Sequence, residues 1–369
     1  MSPCHSVDEE KILKMIPESI EEIQAAVCEH ARVHVHGART KSALHPHETS
    51  EVSETSDVCG IDLRQLTGVL QYDAQEFVLT ALAGTPVREV EAILAAQGQY
   101  LPFDPLLVER GATLGGTVAA NASGPGRFRY GGVRDFLIGA RFIDGNGQLI
   151  MGGGKVVKNA AGFDYPKLMV GSCGRLGILV ELTFKVFPKP QAYHTVMVPQ
   201  PDLNATLSAL YKLTSAPLDI EALDIVPNID AVAGYVMQVR IGGLPNALLA
   251  RAERLRQTLG VGGDILSEDA DAQLWRDARE MRWADGRSLI KVPITPARIG
   301  ALETQLQANT VPRRYSVGGN VAWLATNAPL IGFESQTIMG AFTPPQPTHV
   351  SNPFAQRIKQ ALDPLNKFV

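Results

Sequence analysis

The chain has 369 residues, 45% hydrophobic and 20% charged, with a formal net charge of −4. That length holds two domains, or one with an appendage, around a sizeable core, and an acidic balance without a basic run argues against general nucleic-acid binding. No apolar run approaches the roughly 18 residues a membrane span needs, and the acidic start "MSPCHSVDEEKILKM" lacks the layout of a secretory signal, so a cytoplasmic chain is expected.

Residues 17–30 are predicted to be helical, with Pro17 at a first helical position and Ile20, Ile23 and Val27 on one face. "RVHVHG" (32–37) alternates as a strand that ends on Gly37. The residues beyond it, Gly37, Ala38, Arg39, Thr40, Lys41 and Ser42, are small or rich in donors. Their successive N–H groups could close on an anion, with the hydroxyls of Thr40 and Ser42 added. A plain surface turn with two basic residues would read the same way.

"GVLQYDAQEFVLTALAG" (68–84) reads as two strands around a turn at Asp73. Thr85 then serves as N-cap and Pro86 lies just inside a helix whose buried stripe is Val87, Val90, Ile93 and Leu94. "GATLGGTVAANASGPGRFRYGG" (111–132) is nearly free of large side chains until Phe128. Gly115 and Gly116 can turn N–H groups toward an anion, while Ala119, Ala120 and Ala122 leave a flat wall suited to a planar ring. Close packing of a helix on a sheet would use the same residues.

"LIGARFIDGNGQLI" (137–150) is a hairpin turning at Asp144–Gly147. Gly171, Gly174 and Gly177 recur every third residue and demand a tight backbone. "LGILVELTFKVFPKP" (176–190) is a strand or strand pair closed by prolines, which sets a boundary at residue 190. Beyond it, helical patterns at 204–213, 246–259 and 297–308 alternate with strands such as 233–243, an α+β texture. "TPPQPT" (343–348) is a connector, and 352–364 forms a last helix with Asn352 as cap and Pro353 in first position.

Several chemistries fail on spacing. "MGGGKVVK" offers Gly154-Lys155, but Val156 follows it and Leu149 stands upstream, so it is no phosphate loop of the Walker type. No G-x-G-x-x-G opens a helix after a strand, and no G-x-S-x-G elbow is present. Cys4, Cys28, Cys59 and Cys173 form no C-x-x-C pair, which excludes an iron–sulfur cluster here and sends any onward electron relay to another chain. His34, His36, His45 and His47 lack partners at ligand spacing, so no metal is expected. Arg282, Trp283, Lys291 and Trp323 mark a place in the C-terminal half where a substrate carboxylate could meet a cation.

In order and spacing, "VHGARTKSAL", "AGTPVREVEAILAAQGQYLPFDP", the glycine stretch and "KVVKNAAGFDYPKLMVGSCGRLGI" resemble the vanillyl-alcohol-oxidase/PCMH family of FAD-binding flavoproteins. The likeness runs through residues 31–190. A final helix, "RIKQALDPLNKF", is similar to that family's closing segment, and within the family "DLRQLTGVLQY", "SGPGRFRYGGVRDF" and "SVGGNVAWLA" are most similar to the FAD-binding subunits of bacterial glycolate oxidases. The resemblance implies an α+β fold: a two-subdomain PCMH-type FAD-binding domain over 1–190, a small α+β cap over 191–345, and a C-terminal helix over 346–369 that returns to the first domain.

It also implies FAD as cofactor. Gly37, Ala38, Arg39, Thr40, Lys41 and Ser42, with Thr113, Leu114, Gly115 and Gly116, would hold the pyrophosphate. Pro102, Ala119, Asn121, Gly131, Arg134 and Asp135 would line the flavin or brace its loops, and Gly177 and Ile178 would meet the ring with backbone. Non-covalent attachment is expected, since neither His36 nor His45 sits in an attachment pattern.

Two departures matter. Gly171-Ser172-Cys173-Gly174-Arg175-Leu176-Gly177 stands where the larger catalytic subunits read G-S-E-G-T-L-G, which argues against a stand-alone dehydrogenase. His36-Gly37-Ala38-Arg39 replaces a more glycine-rich run, which implies weaker pyrophosphate binding. The implied partners are a larger FAD-containing catalytic subunit, an iron–sulfur subunit and a small 2-hydroxy acid substrate, with membrane association only through those subunits. No catalytic residue is assigned. The alternatives are a stand-alone FAD-linked 2-hydroxy acid dehydrogenase and a non-catalytic assembly subunit.

Overall fold

Alternating apolar residues near the start of the chain build a three-stranded parallel sheet, ordered β1-β3-β2, from β1 (Leu13–Met15), β2 (Arg32–His36) and β3 (Val58–Asp62). The computed structural model describes residues 13–44, 58–154, 163–228, 234–260, 262–284, 286–306, 311–340 and 353–369. His45, His47, the "TPPQPT" connector and Asn352 lie outside them. Helix α1 (Ile20–Glu29) joins β1 to β2 and buries Ile23, Ala26 and Val27. It starts later than predicted, because Ser19 rather than Pro17 sets the end: its hydroxyl accepts from the Glu22 N–H.

The next elements run from β4 (Val69–Asp73) and β5 (Val78–Leu82) through α2 (Val87–Ala95), β6 (Gln99–Tyr100) and α3 (Leu114–Ala119). They continue with α4 (Arg127–Tyr130), α5 (Val133–Phe136), β7 (Leu137–Ile143), β8 (Leu149–Gly153), α6 (Tyr165–Met169), β9 (Ile178–Lys185) and β10 (Phe187–Pro188). Five of the strands form an antiparallel sheet ordered β4-β5-β9-β7-β8, and β10 pairs with β6. Thr85 is not the cap of α2. That position falls to Pro86, and the Thr85 hydroxyl instead accepts from the Gly68 N–H at 3.0 Å. Ile93 of the predicted stripe is 39% exposed while Val87, Val90 and Leu94 are fully buried, so the buried face is narrower than the pattern suggested.

The C-terminal half adds β11 (Ala192–Gln200), α7 (Leu203–Ser215), β12 (Ile220–Pro227), β13 (Tyr235–Gly243), α8 (Pro245–Leu259), β14 (Asp264–Ser267) and α9 (Glu268–Arg279). After these come β15 (Leu289–Pro293), α10 (Ile299–Gln305), β16 (Arg313–Ser316), β17 (Val321–Ala325), β18 (Gln336–Met339) and α11 (Pro353–Leu362). The strands make one sheet ordered β14-β11-β13-β12-β16-β17-β15-β18. One face packs α7, α8 and α10 through Leu210, Leu248, Leu255 and Ile299. From the rest of the sheet, Leu289, Val321, Trp323 and Ile338 join the core that contains Leu79, Val118 and Leu182 of the five-stranded sheet region. The large sheet is thus buried on both sides, which its mostly apolar strands allow.

Residues 359–369 run back to the start of the fold. The Val33 N–H donates to the Lys367 carbonyl at 2.8 Å, and the Val369 N–H donates to the Val33 carbonyl at 3.3 Å. Phe368 packs with Ile23, Val27 and Ile61. The Lys359 ammonium donates to the carbonyls of Arg175 at 2.8 Å and Phe368 at 3.0 Å and pairs with Asp363 at 2.6 Å. Among the described residues, no helix is long and apolar enough to cross a membrane.

Candidate functional site

Three segments converge between the parallel sheet and the five-stranded sheet: the turn after β2, the start of α3, and the loop before β9. Together they wall a two-lobed cleft, each lobe enclosing a little over 400 Å³ with its mouth, about 430 Å³ and 460 Å³. Gly37, Thr113, Gly116 and Ala119 border both lobes. Ala38, Arg39, Thr40 and Lys41 close one side, and Gly115, Ser172 and Gly177 the other.

Small residues here serve two purposes. A Cβ on Gly115 would stand 2.9 Å from the Ala83 Cβ and 3.0 Å from its carbonyl oxygen, so this glycine lets α3 lie against the end of β5. A Cβ on Gly37 would reach 2.5 Å from the Thr113 hydroxyl, so bare backbone brings the first loop against the second. Gly174 (φ +76) and Gly177 (φ +152) hold left-handed or strained backbone against Val35 and Ile143. Ala119, by contrast, borders open space in both lobes. Close packing and an open wall are both present in the stretch, on different residues.

The donors are distributed differently from the expectation. Residues 114–119 form a helix, not a loop, with the Thr113 hydroxyl accepting from the Gly116 N–H at 3.2 Å. Leu114 and Gly115 already donate to the carbonyls of Thr85 and Ala83, at 3.0 and 2.7 Å. In the turn after β2, the N–H groups of Ala38 and Thr40 meet no acceptor among the described residues. The free anion-binding capacity therefore lies in the first loop.

Two buried polar groups facing the cleft lack partners among the described residues, the Ser172 hydroxyl and Nε2 of His36. Nδ1 of His36 lies 3.1 Å from the Gly37 carbonyl, and burial pulls its pKa below the usual histidine range. Lys41 is 6% exposed, and among the described residues its ammonium donates only to the Thr40 hydroxyl at 3.1 Å. Burial pulls its pKa down to about 8 against the opposing charge of Glu280. A buried ammonium with one neutral partner is costly unless an anion arrives.

The other predicted residues fall outside the lining. Leu114 and Ile178 are fully buried in the cores, and Pro102 is buried as well. Ser42 is exposed at the start of a short turn of helix (Ser42–Leu44). Asp135 accepts from the Gly132 N–H at 2.8 Å, and the Arg134 carbonyl accepts from Lys167, so α5 braces a loop beside Gly131. Arg282 is spent on exposed pairs with Glu109 and Asp277. Trp283 is half-buried with its indole N–H unpaired. Lys291 and Trp323 are register partners on β15 and β17, and the Lys291 ammonium donates to the Asn121 carbonyl at 3.3 Å.

Sequence reasoning missed Ser172 and Cys173 as lining residues; their one signal was their place among Gly171, Gly174 and Gly177. It also missed that residues 128–129 dock the large sheet. Phe128 lies against the backbone of Gly318, and Arg129 pairs with Glu221 at 3.0 Å.

Against known proteins, the profile of the FAD binding domain family matches residues 13–152. The chain is 32% identical to glycolate oxidase subunit GlcE of Escherichia coli (strain K12), over 84% of this chain and 80% of that protein. The chain belongs to the PCMH-type family of FAD-binding flavoproteins. Its cofactor is FAD, and its family is one of oxidoreductases. A D-2-hydroxyglutarate dehydrogenase of Xanthomonas citri pv. viticola is 30% identical, but over only 57% of this flavoprotein and 43% of the dehydrogenase. In fold, an alkyldihydroxyacetonephosphate synthase superposes with a TM-score of 0.69 at 17% identity, covering 96% of this chain and 74% of the synthase.

Proposed function

We propose that this chain is the FAD-binding subunit of a complex that oxidises glycolate or a related small 2-hydroxy acid. The observation that carries the reading is the likeness to GlcE, which extends over 84% of the chain, where the likeness to the hydroxyglutarate dehydrogenase stops at 57%. In this reading a FAD-binding domain extends to residue 190, a cap spans 191–345, and residues 346–369 return to the first domain.

The residues present fit FAD on two observations. The buried ammonium of Lys41, the Ser172 hydroxyl and Nε2 of His36 all want a partner at the cleft, and the open wall at Gly116 and Ala119 leaves room for a flat ring. The N–H groups of residues 37–41 and the Lys41 ammonium would hold the diphosphate, which needs several donors and a counter-charge. Gly116 and Ala119 would lie against a ring, and Gly177 would approach it with backbone. FAD, when bound, supplies a two-electron acceptor for a hydride. The partners in this reading are a larger flavin-bearing catalytic subunit and an iron–sulfur subunit, because the chain's own cysteines cannot ligate a cluster.

An absorbance spectrum of the purified chain tests this, repeated after acid precipitation and after anaerobic addition of glycolate. Oxidised-flavin bands that acid releases into the supernatant support non-covalent FAD. Bleaching by glycolate in the isolated chain would replace the subunit reading with a stand-alone dehydrogenase. A colourless chain that cannot be reconstituted with FAD would sink the reading altogether.

A further inference from the structure

Beside the cleft, where β15 crosses the loop after α3, stand two cations that no anion among the described residues pairs with. Among the described residues the Lys291 ammonium has one long hydrogen bond, to the Asn121 carbonyl at 3.3 Å, and it rests 5.8 Å from the centre of the Trp323 ring. Arg127 is half-buried, and its guanidinium has no hydrogen bond or ion pair among the described residues. The acid nearest in effect to Arg127 is Asp135, whose carboxylate is committed to the Gly132 N–H at 2.8 Å. Lys291 also feels Arg127, which repels it, and Cys173, which lines the cleft. The Cys173 N–H donates to the Ala119 carbonyl at 3.0 Å, which sets Cys173 against the wall proposed for the ring.

Two like charges withdrawn from water raise the free energy of the empty protein unless a negative group is shared between them. Within the large sheet three other cations are matched: Arg314 with Asp224, Arg240 with Asp271, Arg313 with Glu303. The Trp323 ring, 5.8 Å from the Lys291 ammonium, covers one side of that cation, and an apolar neighbour strengthens its attraction to an anion by excluding water. A carboxylate answers that description, since it can accept from an ammonium and a guanidinium at once.

We propose that Lys291 and Arg127 form the binding site for the carboxylate of a small organic acid, placing it at the junction of the cleft and the large sheet. This rests on the flavoprotein reading above, and names the group of the substrate that the large sheet contributes to holding. No residue here is assigned a bond-making role; Lys291 and Arg127 bind.

The test uses the full chain loaded with FAD and titrated with oxalate, a dicarboxylate that offers no hydrogen for transfer. Binding is followed by calorimetry and by perturbation of the flavin spectrum. The expected result is that Lys291→Met and Arg127→Met each weaken oxalate binding by about tenfold or more, the loss typical of a charge-assisted hydrogen bond. Lys291→Arg, which keeps the charge over Trp323, should stay within a few-fold of the parent and serves as the control for folding. FAD content and the oxalate-free spectrum should be unchanged in all three. Equal oxalate affinity in parent and Lys291→Met overturns the proposal, as does a parent that binds no small carboxylate. Loss of FAD itself in Lys291→Met would also overturn it, by showing that the cations serve the cofactor. A parent that takes up no FAD at all would instead be a failure of the flavoprotein reading.

Discussion

Two buried carboxylates at the large sheet and the polar groups of the cleft are satisfied to opposite degrees. In the sheet, fully buried Asp224 accepts from Arg314, from the Ser316 hydroxyl at 2.6 Å and from the Val317 N–H at 3.3 Å. Asp271 accepts from Arg240 at 2.6 Å and from the Thr195 hydroxyl at 2.6 Å, which in turn accepts from the Trp275 indole at 2.7 Å. In the cleft, Lys41 has one neutral partner, and Ser172 and Nε2 of His36 have none among the described residues. The satisfied groups around Asp224 and Asp271 serve the fold, and the unsatisfied groups that line the cleft stand where a ligand would meet them, a division drawn without reference to any relative.

The largest test of that division is Asp224→Ala. It strands the buried Arg314 charge and should cost about 3–5 kcal/mol in urea unfolding while leaving the FAD affinity of the surviving folded protein alone. Next come two faces of one helix. Gly115→Val drives methyl groups into Ala83 and should lower stability by about 1–3 kcal/mol. Ala119→Leu enlarges a residue that borders both lobes of the cleft and should weaken FAD binding at least about tenfold, near 1.4 kcal/mol, with the melting temperature of the FAD-free protein unchanged. Flavin-fluorescence quenching reads the affinity. If both variants moved stability alone, the open wall would be mere packing.

Lys41→Met should weaken FAD by about tenfold, and it carries a pH signature. With its folded pKa lowered from 10.5 to about 8 by burial, Lys41 releases its proton more readily in the folded chain than in the unfolded one. The unfolded state thus holds more protons between about pH 8 and 10.5, so FAD-free stability gains a contribution that rises through that window. Lys291, also drawn down to about 8, adds to the same slope. Denaturation midpoints across this range should rise less steeply in Lys41→Met, and less steeply again in the FAD-loaded parent, whose diphosphate restores the ammonium. The smallest expected effect belongs to Arg282→Ala. Its pairs with Glu109 and Asp277 are exposed, and neither the melting midpoint nor FAD affinity should shift measurably.

Local chemistry was legible in the residues. Asp144-Gly145-Asn146-Gly147 announced its hairpin because the turn needs a positive φ, here +75 at Gly147. The triplet spacing of Gly171, Gly174 and Gly177 announced a tight backbone, and all three have positive φ. The loop after β2 was marked as donor-rich by composition alone. What the sequence hid is what distance hides. Nothing about Lys291 says that it meets Asn121, 170 positions earlier, or that Glu280 lies near enough to Lys41 to be felt. Helix α9, acidic in its first turn and basic in its last, carried only a narrow apolar stripe and escaped the pattern. Gly115 and Gly116 looked equivalent in sequence, yet the Cβ of one would strike Ala83 while the other borders both lobes.

The way residues 359–369 tie off the fold also sets an order in time. The loop after β2 hangs from a strand whose Val33 N–H and carbonyl are bonded to Lys367 and Val369. The loop before β9 is held through the Arg175 carbonyl by Lys359. A ribosome delivers both loops long before it delivers the residues that anchor them, with the whole large sheet synthesised in between. The cleft can therefore take its final shape only once Val369 has emerged. Loading with cofactor becomes a late event in the life of the polypeptide, and a chain cut short within α11 would carry every proposed contact for FAD yet lack the anchors that set them in register.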